Sequence, residues 1–201
     1  MKRNNVLINN LARAVMLVMV VGLAAGTTGC RTVGIDVSPT ARIQSASDQK
    51  IALSVGLMLD GRFCTNSFIA PESGLIHPFG PALKEQSISL CEQTFEKVTV
   101  STNGVVPAGV DATLTPEVQR CAIAYQPRGR SEDITLLLEW TLRSGDNRNI
   151  LWMTTVDGHG DQGKSTVFQL LFDDLANKSY QAFQESPEIK LLIAKKSGAA
   201  M

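Results

Sequence analysis

The sequence predicts an α+β domain: a mainly antiparallel sheet with two amphipathic helices packed on one face, in the order strand, helix, several strands, helix. Three observations predict it. Residues 51–59 alternate apolar and small or polar side chains, as a half-buried strand does. Residues 134–142 and 150–156 alternate in the same way and are joined by a polar loop. Residues 81–98 and 166–185 carry apolar side chains at helical spacing.

The elements follow in order. Ile51, Leu53, Val55, Leu57 and Leu59 share one face of the first strand, and Asp60-Gly61 reads as a turn or bulge. Residues 62–70 read as a second extended piece. Residues 71–81, with Pro71, Gly74, Pro78, Gly80 and Pro81, read as a loop. In the helix predicted at 81–98, Ile88, Cys91, Phe95 and Val98 form one stripe, which places Cys91 in the core. A strand starts at Val98-Thr99-Val100 and ends at Asn103-Gly104. Residues 110–125 are mostly extended, with Pro116 a point of interruption and Cys121, Ile123 and Tyr125 on one side. After a polar loop at 126–133, the hairpin sets Ile134, Leu136, Leu138, Trp140 and Leu142 on one face. Thr135, Leu137, Glu139, Thr141 and Arg143 take the other. Ile150, Trp152, Thr154 and Val156 return. A glycine-rich loop at 158–163 leads to the second helix, whose apolar side is Phe168, Leu171, Leu175, Ala182 and Phe183, broadened by Leu170 and Phe172. Pro187 ends it. Residues 188–194 read as a short helix or strand, and 195–201 as a disordered tail.

The N-terminus carries Lys2, Arg3 and Arg13, then an apolar run of 12 residues from Ala14 to Ala25, then small residues up to Cys30. A basic region, an apolar region of this length and small residues before the cut fit a secretory signal. The run is short for a membrane span, which needs roughly 20 apolar residues. An ordinary secreted protein cut near Ala25 or Gly29 is the other alternative. With its cysteine directly after the small residues, this segment resembles a bacterial lipoprotein signal. The resemblance implies cleavage before Cys30 and lipid, palmitate included, on the new N-terminal cysteine. Thr27 stands where such signals usually carry an aliphatic residue. In the resembled class an Asp after the cysteine favours inner-membrane retention; Arg31 stands there, which leans towards the outer membrane facing the periplasm. The chain then divides into a signal peptide at 1–29 and a lipidated cysteine with a flexible tether at 30–49. A single periplasm-facing domain at 50–194 and the tail at 195–201 follow. Extended, the tether reaches roughly 60 Å; alternatively it lies along the domain.

Removal of 1–29 leaves 172 residues, enough for one domain with a core. Lys2, Arg3 and Arg13 leave with it, so 16 basic side chains face 19 acidic ones, a formal net charge of −3. That gives no electrostatic case for nucleic acid and none for broad attraction to anionic lipid surfaces. Cys64, Cys91 and Cys121 remain besides Cys30, and an exported protein permits disulfides; three thiols allow at most one internal bridge. His77 and His159 are isolated, so no metal or other cofactor is expected.

Gly158-His159-Gly160-Asp161-Gln162-Gly163-Lys164-Ser165 matches G-x-x-x-x-G-K-[ST], between a strand and a helix, as a phosphate-binding loop requires. Three arguments oppose nucleotide hydrolysis. Only 36 residues follow Ser165, and the apolar-acidic run 170–174 falls inside the amphipathic helix. The preceding strand alternates, whereas the first strand of such a fold is apolar on both faces. Export removes the domain from its nucleotide supply. The remaining readings are a strand-to-helix connection with Ser165 or Thr166 as N-cap, and a weak anion site at Gly163, Lys164 and Ser165. No catalytic constellation is positioned by the sequence.

Glu139-Trp140-Thr141-Leu142, a polar turn and Ile150-Leu151-Trp152 are similar to the central hairpin of auxiliary lipoproteins of ABC transport systems. As a pattern of elements, residues 50–190 resemble these, YajG-type lipoproteins and, more distantly, the lipopolysaccharide-assembly lipoprotein. The resemblance implies a non-enzymatic adaptor or binding module in envelope assembly or transport, with an envelope protein as partner. A structural lipoprotein contacting peptidoglycan or a secretion machine is the alternative, and a periplasmic enzyme the third reading. The expected partner-facing surface is the sheet face left open by the helices, with Thr135, Leu137, Glu139, Thr141 and Arg143.

Overall fold

The computed structural model describes residues 32, 34–44, 46–47, 49–70, 74–125, 132–161 and 166–198, without the side chains of Tyr125 and Glu132. Cys30 and Gly163, Lys164 and Ser165 lie outside the described residues.

The domain is α+β, and its five-stranded sheet is mixed, in the order β4-β1-β5-β6-β7. β1 is Ile51–Met58, β4 Phe95–Ser101, β5 Ala112–Tyr125, β6 Glu132–Ser144 and β7 Ile150–Gly160. β1 runs parallel to β4 and to β5, while β5, β6 and β7 are antiparallel to one another. The parallel part follows from the connection. A helix of 16 residues, Phe79–Thr94, intervenes between β1 and β4 and returns the chain to the same end of the sheet. It is the second helix, α2, after the short α1, Gly61–Thr65. α3, Val167–Glu185, and α4, Pro187–Gly198, complete the set.

Local differences from the sequence reading have physical causes. α2 stops at Thr94 rather than 98, because Phe95 turns extended and Phe95 to Val98 pair with β1. Phe95 and Val98 keep helical spacing but act as strand residues. The buried side of α2 includes Leu83, Leu90 and Cys91, with Ile88 only partly covered. Residues 62–70 are not one extended piece: the Asp60 carboxylate accepts the Phe63 N–H at 2.6 Å and starts α1. Phe68–Ile69 (β2) then pairs with Ile76–His77 (β3), inside the segment expected to be loop. Pro116 does not interrupt β5. The β1 ladder ends at Leu114, so Pro116 lies where β5 has lost that neighbour. β1 is buried on more than one side because Pro107, from the loop after β4, lies against Gly56, where an added Cβ would meet its Cδ at 3.1 Å.

The core lies between the sheet and the helices. Leu53, Val55, Leu57, Leu114, Ile134, Leu136, Trp140 and Leu142 are fully buried, as are Phe79, Phe95, Leu171 and Phe183. Phe183 gathers three rings, with centroids 5.5 Å from Phe95, 5.2 Å from Trp140 and 5.9 Å from Trp152.

Much of the expected tether lies along the domain. Residues 34–44 and 46–47 form a strap across α2 and α3. The Ser38 N–H donates to Gln169 Oε1 (2.8 Å), the Ala41 N–H to Ser89 Oγ (3.0 Å), the Gln44 N–H to Asn177 Oδ1 (2.8 Å) and the Ser47 N–H to Tyr180 OH (2.7 Å). Gln86 Nε2 donates to the Ser38 carbonyl, and Gln93 Nε2 to that of Ala41 (2.9 Å). Ala41 is buried, and Ile35, Val37 and Ile43 pack on the core. Side-chain amides and hydroxyls on the helices thus satisfy the backbone of a segment with no regular partner of its own.

At the other terminus, Pro187 ends α3 and also opens α4, with the Ile189 N–H donating to Ser186 Oγ at 3.2 Å. α4 runs to Gly198, so residues 195–198 are helical rather than tail. Lys196 Nζ donates to Asp111 Oδ2 at 2.8 Å and to the Ala52 carbonyl at 3.2 Å. The same Asp111 oxygen accepts the Ser54 N–H at 2.7 Å. Burial pushes the Asp111 carboxyl up, but Lys196 and the Ser54 N–H outweigh it and hold it below the usual range.

Candidate functional site: the open sheet face

The strands position this surface by their period of two. On β6, Ile134, Leu136, Leu138, Trp140 and Leu142 are buried, and Thr135, Leu137, Glu139, Thr141 and Arg143 are half-buried on the opposite face. Register extends each of these across the neighbouring strands. Thr141 lies between Thr115 and Met153, Glu139 between Glu117 and Thr155, Leu137 between Arg120 and Asp157, and Thr135 between Ala122 and His159. Arg143 faces Thr113 and Ile150.

Two properties mark the face. Glu117 stands directly opposite Glu139, and like charges so placed repel. Beside them, the small side chains of Ala122 and Thr135 leave a hollow of about 250 Å³ bounded by Arg120 and Leu137. A larger groove, about 410 Å³, runs between α1 and β5, lined by Asp60, Arg62, Phe63, Asn66 and Thr115 to Val118. The face therefore offers an apolar wall, an arginine and two carboxylates at paired positions within three strands.

Glu117, Arg120, Asp60 and Arg62 do not figure in the sequence reading of the site. For Glu117 and Arg120 the missing signal is a register shift between Val118 and Arg120; Asp60 and Arg62 are placed by α1, a helix where the sequence reads as extended. Before the shift, Thr115 and Glu117 face outward, with the buried Thr113 on the same side; after it, Arg120, Ala122 and Ala124 do. A strict alternation from either end misassigns the other half.

The upper edge of β7 is occupied by α3. The His159 N–H donates to Asp174 Oδ2 at 2.9 Å, and Lys178 Nζ donates to the Asp157 carbonyl at 2.7 Å. Lys178 also pairs with Asp174 at 3.0 Å. Burial pulls the Lys178 ammonium down, but Asp174 and Asp157 outweigh it and raise its pKa. His159 Nδ1 lies 3.4 Å from Asp133 Oδ1. Lower on the same edge, Ile150 and Met153 are exposed.

The glycine-rich run is not a loop from its first residue. Gly158 pairs with Leu136 and Gly160 with Ile134, so the first three positions of the G-x-x-x-x-G-K-[ST] match are strand. A Cβ at Gly158 would lie 2.2 Å from Leu175 Cγ, and one at Gly160 2.2 Å from the Val167 carbonyl oxygen. These two glycines let α3 lie directly on β7. Asp161 follows the strand; the last four positions of the match, and with them the anion site at Gly163, Lys164 and Ser165, fall outside the described residues, and Thr166 holds the N-cap position of α3.

Cys64, Cys91 and Cys121 are free thiols. Burial raises all three pKa values: Cys91, wholly buried, far up, Cys121 to about 12, and Cys64 less. No group of His, Cys, Asp and Glu that would hold a metal ion occurs among the described residues. No helix among them is long and apolar enough to cross a membrane.

No family model matches the chain, and no curated protein matches it. It is similar to several solved structures. A DUF330-family protein from Xanthomonas campestris shares 11% identity at a TM-score of 0.48, over 87% of this chain and 100% of that one. A homolog of the neuraminyllactose-binding hemagglutinin from Helicobacter pylori shares 11% at 0.42, over 82% and 100%. Lipoprotein GNA1162 from Neisseria meningitidis shares 17% at 0.37, over 64% and 99%. Bacterial lipoproteins are thus among the structures this chain is similar to.

Proposed function

We propose that the chain is a lipid-anchored cell-envelope protein, held through Cys30 in the outer membrane facing the periplasm, and that it works there as a non-enzymatic adaptor. The anchor half of the reading is supported by the signal that ends in Cys30, with Arg31 after it. The binding half rests on one observation above others, the three-stranded open face on which Glu117 opposes Glu139 beside the Leu137 wall. A partner that brings a lysine or arginine between the two carboxylates, and an apolar side chain against Leu137, relieves the repulsion and covers the hollow. The envelope protein so bound is a partner of basic and apolar surface.

A photo-crosslinking residue placed at Leu137 in living cells tests this. The expected result is one discrete protein adduct, and none from the same residue at Lys190, an exposed position on α4. Adducts at Lys190 alone, or wall fragments as the sole product at Leu137, contradict the adaptor reading.

A further inference from the structure

The β2–β3 ribbon has two unlike sides. Its inner pair, Phe68 and His77, is fixed to the domain. The Phe68 ring meets Phe79 at 5.4 Å, and the fully buried His77 ring meets Phe168 at 5.5 Å. Its outer pair is Ile69 and Ile76. Ile69 is 62% exposed and Ile76 half-buried. A two-residue ribbon held by an aromatic cluster is a rigid mount for an apolar pair turned outward.

The first of the described residues lies at this same ribbon. Thr32 forms a parallel bridge to Ile76. Two residues of backbone span at most about 7 Å, so Cys30 lies within that reach of Thr32 whatever its conformation. The strap at 34–44 and 46–47 takes up most of the expected tether, and the roughly 60 Å of slack with it. A bilayer holding acyl chains on Cys30 is therefore brought to the ribbon and not to a distant part of the domain.

From these observations, and resting on the reading of Cys30 as acylated, we infer that the β2–β3 ribbon is a second membrane contact, with Ile69 entering the bilayer surface beside the lipid. The contact is apolar. The mature chain has a formal charge of −3 and no general attraction to anionic headgroups, so insertion of the outer pair is the chemistry available. The ribbon then sets the orientation of the domain. α3, whose Phe168 end packs on the ribbon, has 19 residues, so the start of α4 lies about 28 Å along the helix from the ribbon end.

The test uses full-length, acylated protein in vesicles of phosphatidylethanolamine and phosphatidylglycerol with brominated acyl chains. Ile69→Trp places an indole on the ribbon, and Leu191→Trp places one on α4 at a site 59% exposed, as a control. Trp140 and Trp152 form a constant background. The expected result is a blue-shifted emission that the bromines quench for Ile69→Trp and an unshifted, unquenched one for Leu191→Trp. If the vesicles carry the protein and neither indole is quenched, or Leu191→Trp alone is, the ribbon contact is overturned while acylation stands. A blue shift at Ile69→Trp without quenching assigns the ribbon to a protein neighbour and also overturns it. Protein that carries no acyl chain overturns the anchor reading and the ribbon contact together.

Discussion

Trp140→Ala lowers the unfolding free energy by about 3–5 kcal/mol. For a domain of this size the melting temperature then falls on the order of 10 °C. Trp140 is fully buried at the centre of β6. Its ring meets Phe183 edge-on at 5.2 Å, and its indole N–H donates to Ser179 Oγ at 2.9 Å. Truncation removes the ring contact and leaves a buried hydroxyl without its donor. It also enlarges a void. Trp140 already lines a cavity of about 20 Å³ with Leu83, Leu90, Phe172 and Leu175. α2 and α3 cannot close over the combined space, because the strap ties both from outside through Gln86, Ser89, Gln169 and Asn177. Trp140→Phe keeps most of the packing and should fall between. Thermal melts of the non-acylated domain check this; a loss below about 1 kcal/mol for Trp140→Ala contradicts the central place given to this side chain.

Gly160→Ala destabilises by about 1–3 kcal/mol. The added carbon falls 2.2 Å from the Val167 carbonyl, and a backbone atom in the first turn of α3 cannot rotate away. The helix must shift. Gly158→Ala meets Leu175 at 2.2 Å and the Leu171 carbonyl at 2.9 Å, so it too requires α3 to shift. This result separates two readings of one motif. If the glycines serve phosphate binding, their loss affects a ligand and leaves the melting temperature alone. If they serve helix-on-sheet packing, the melting temperature drops with no ligand present. A Gly160→Ala protein that melts with its parent contradicts the packing account.

The β6–β7 hairpin and α3 are the elements most legible from residue order, because one face of each is buried and the other is wet; the exception is Ile150, expected on the face of Trp152, which a register shift sets opposite Arg143 and leaves exposed. Trp140 and Leu137 take opposite faces as the alternation requires. What is not legible depends on partners distant in the chain. Phe95 and Val98 continue a helical stripe, and only pairing with Ile51 and Val55 makes them strand. The same pairing makes part of the sheet parallel. The strap carries weak periodicity because hydrogen bonds to Gln86, Ser89, Gln169 and Asn177 hold it as much as apolar contacts do. On the open face, the five β6 residues follow from the alternation, while Glu117 and Arg120 depend on a bulge that no local pattern announces.

The central claim is that Cys30 anchors this domain to a membrane, and metabolic labelling with a fatty acid tests it most directly. The parent chain should take up label and sediment with membranes, and Cys30→Ser should lose the label and its membrane association together. Label that survives Cys30→Ser would contradict the account.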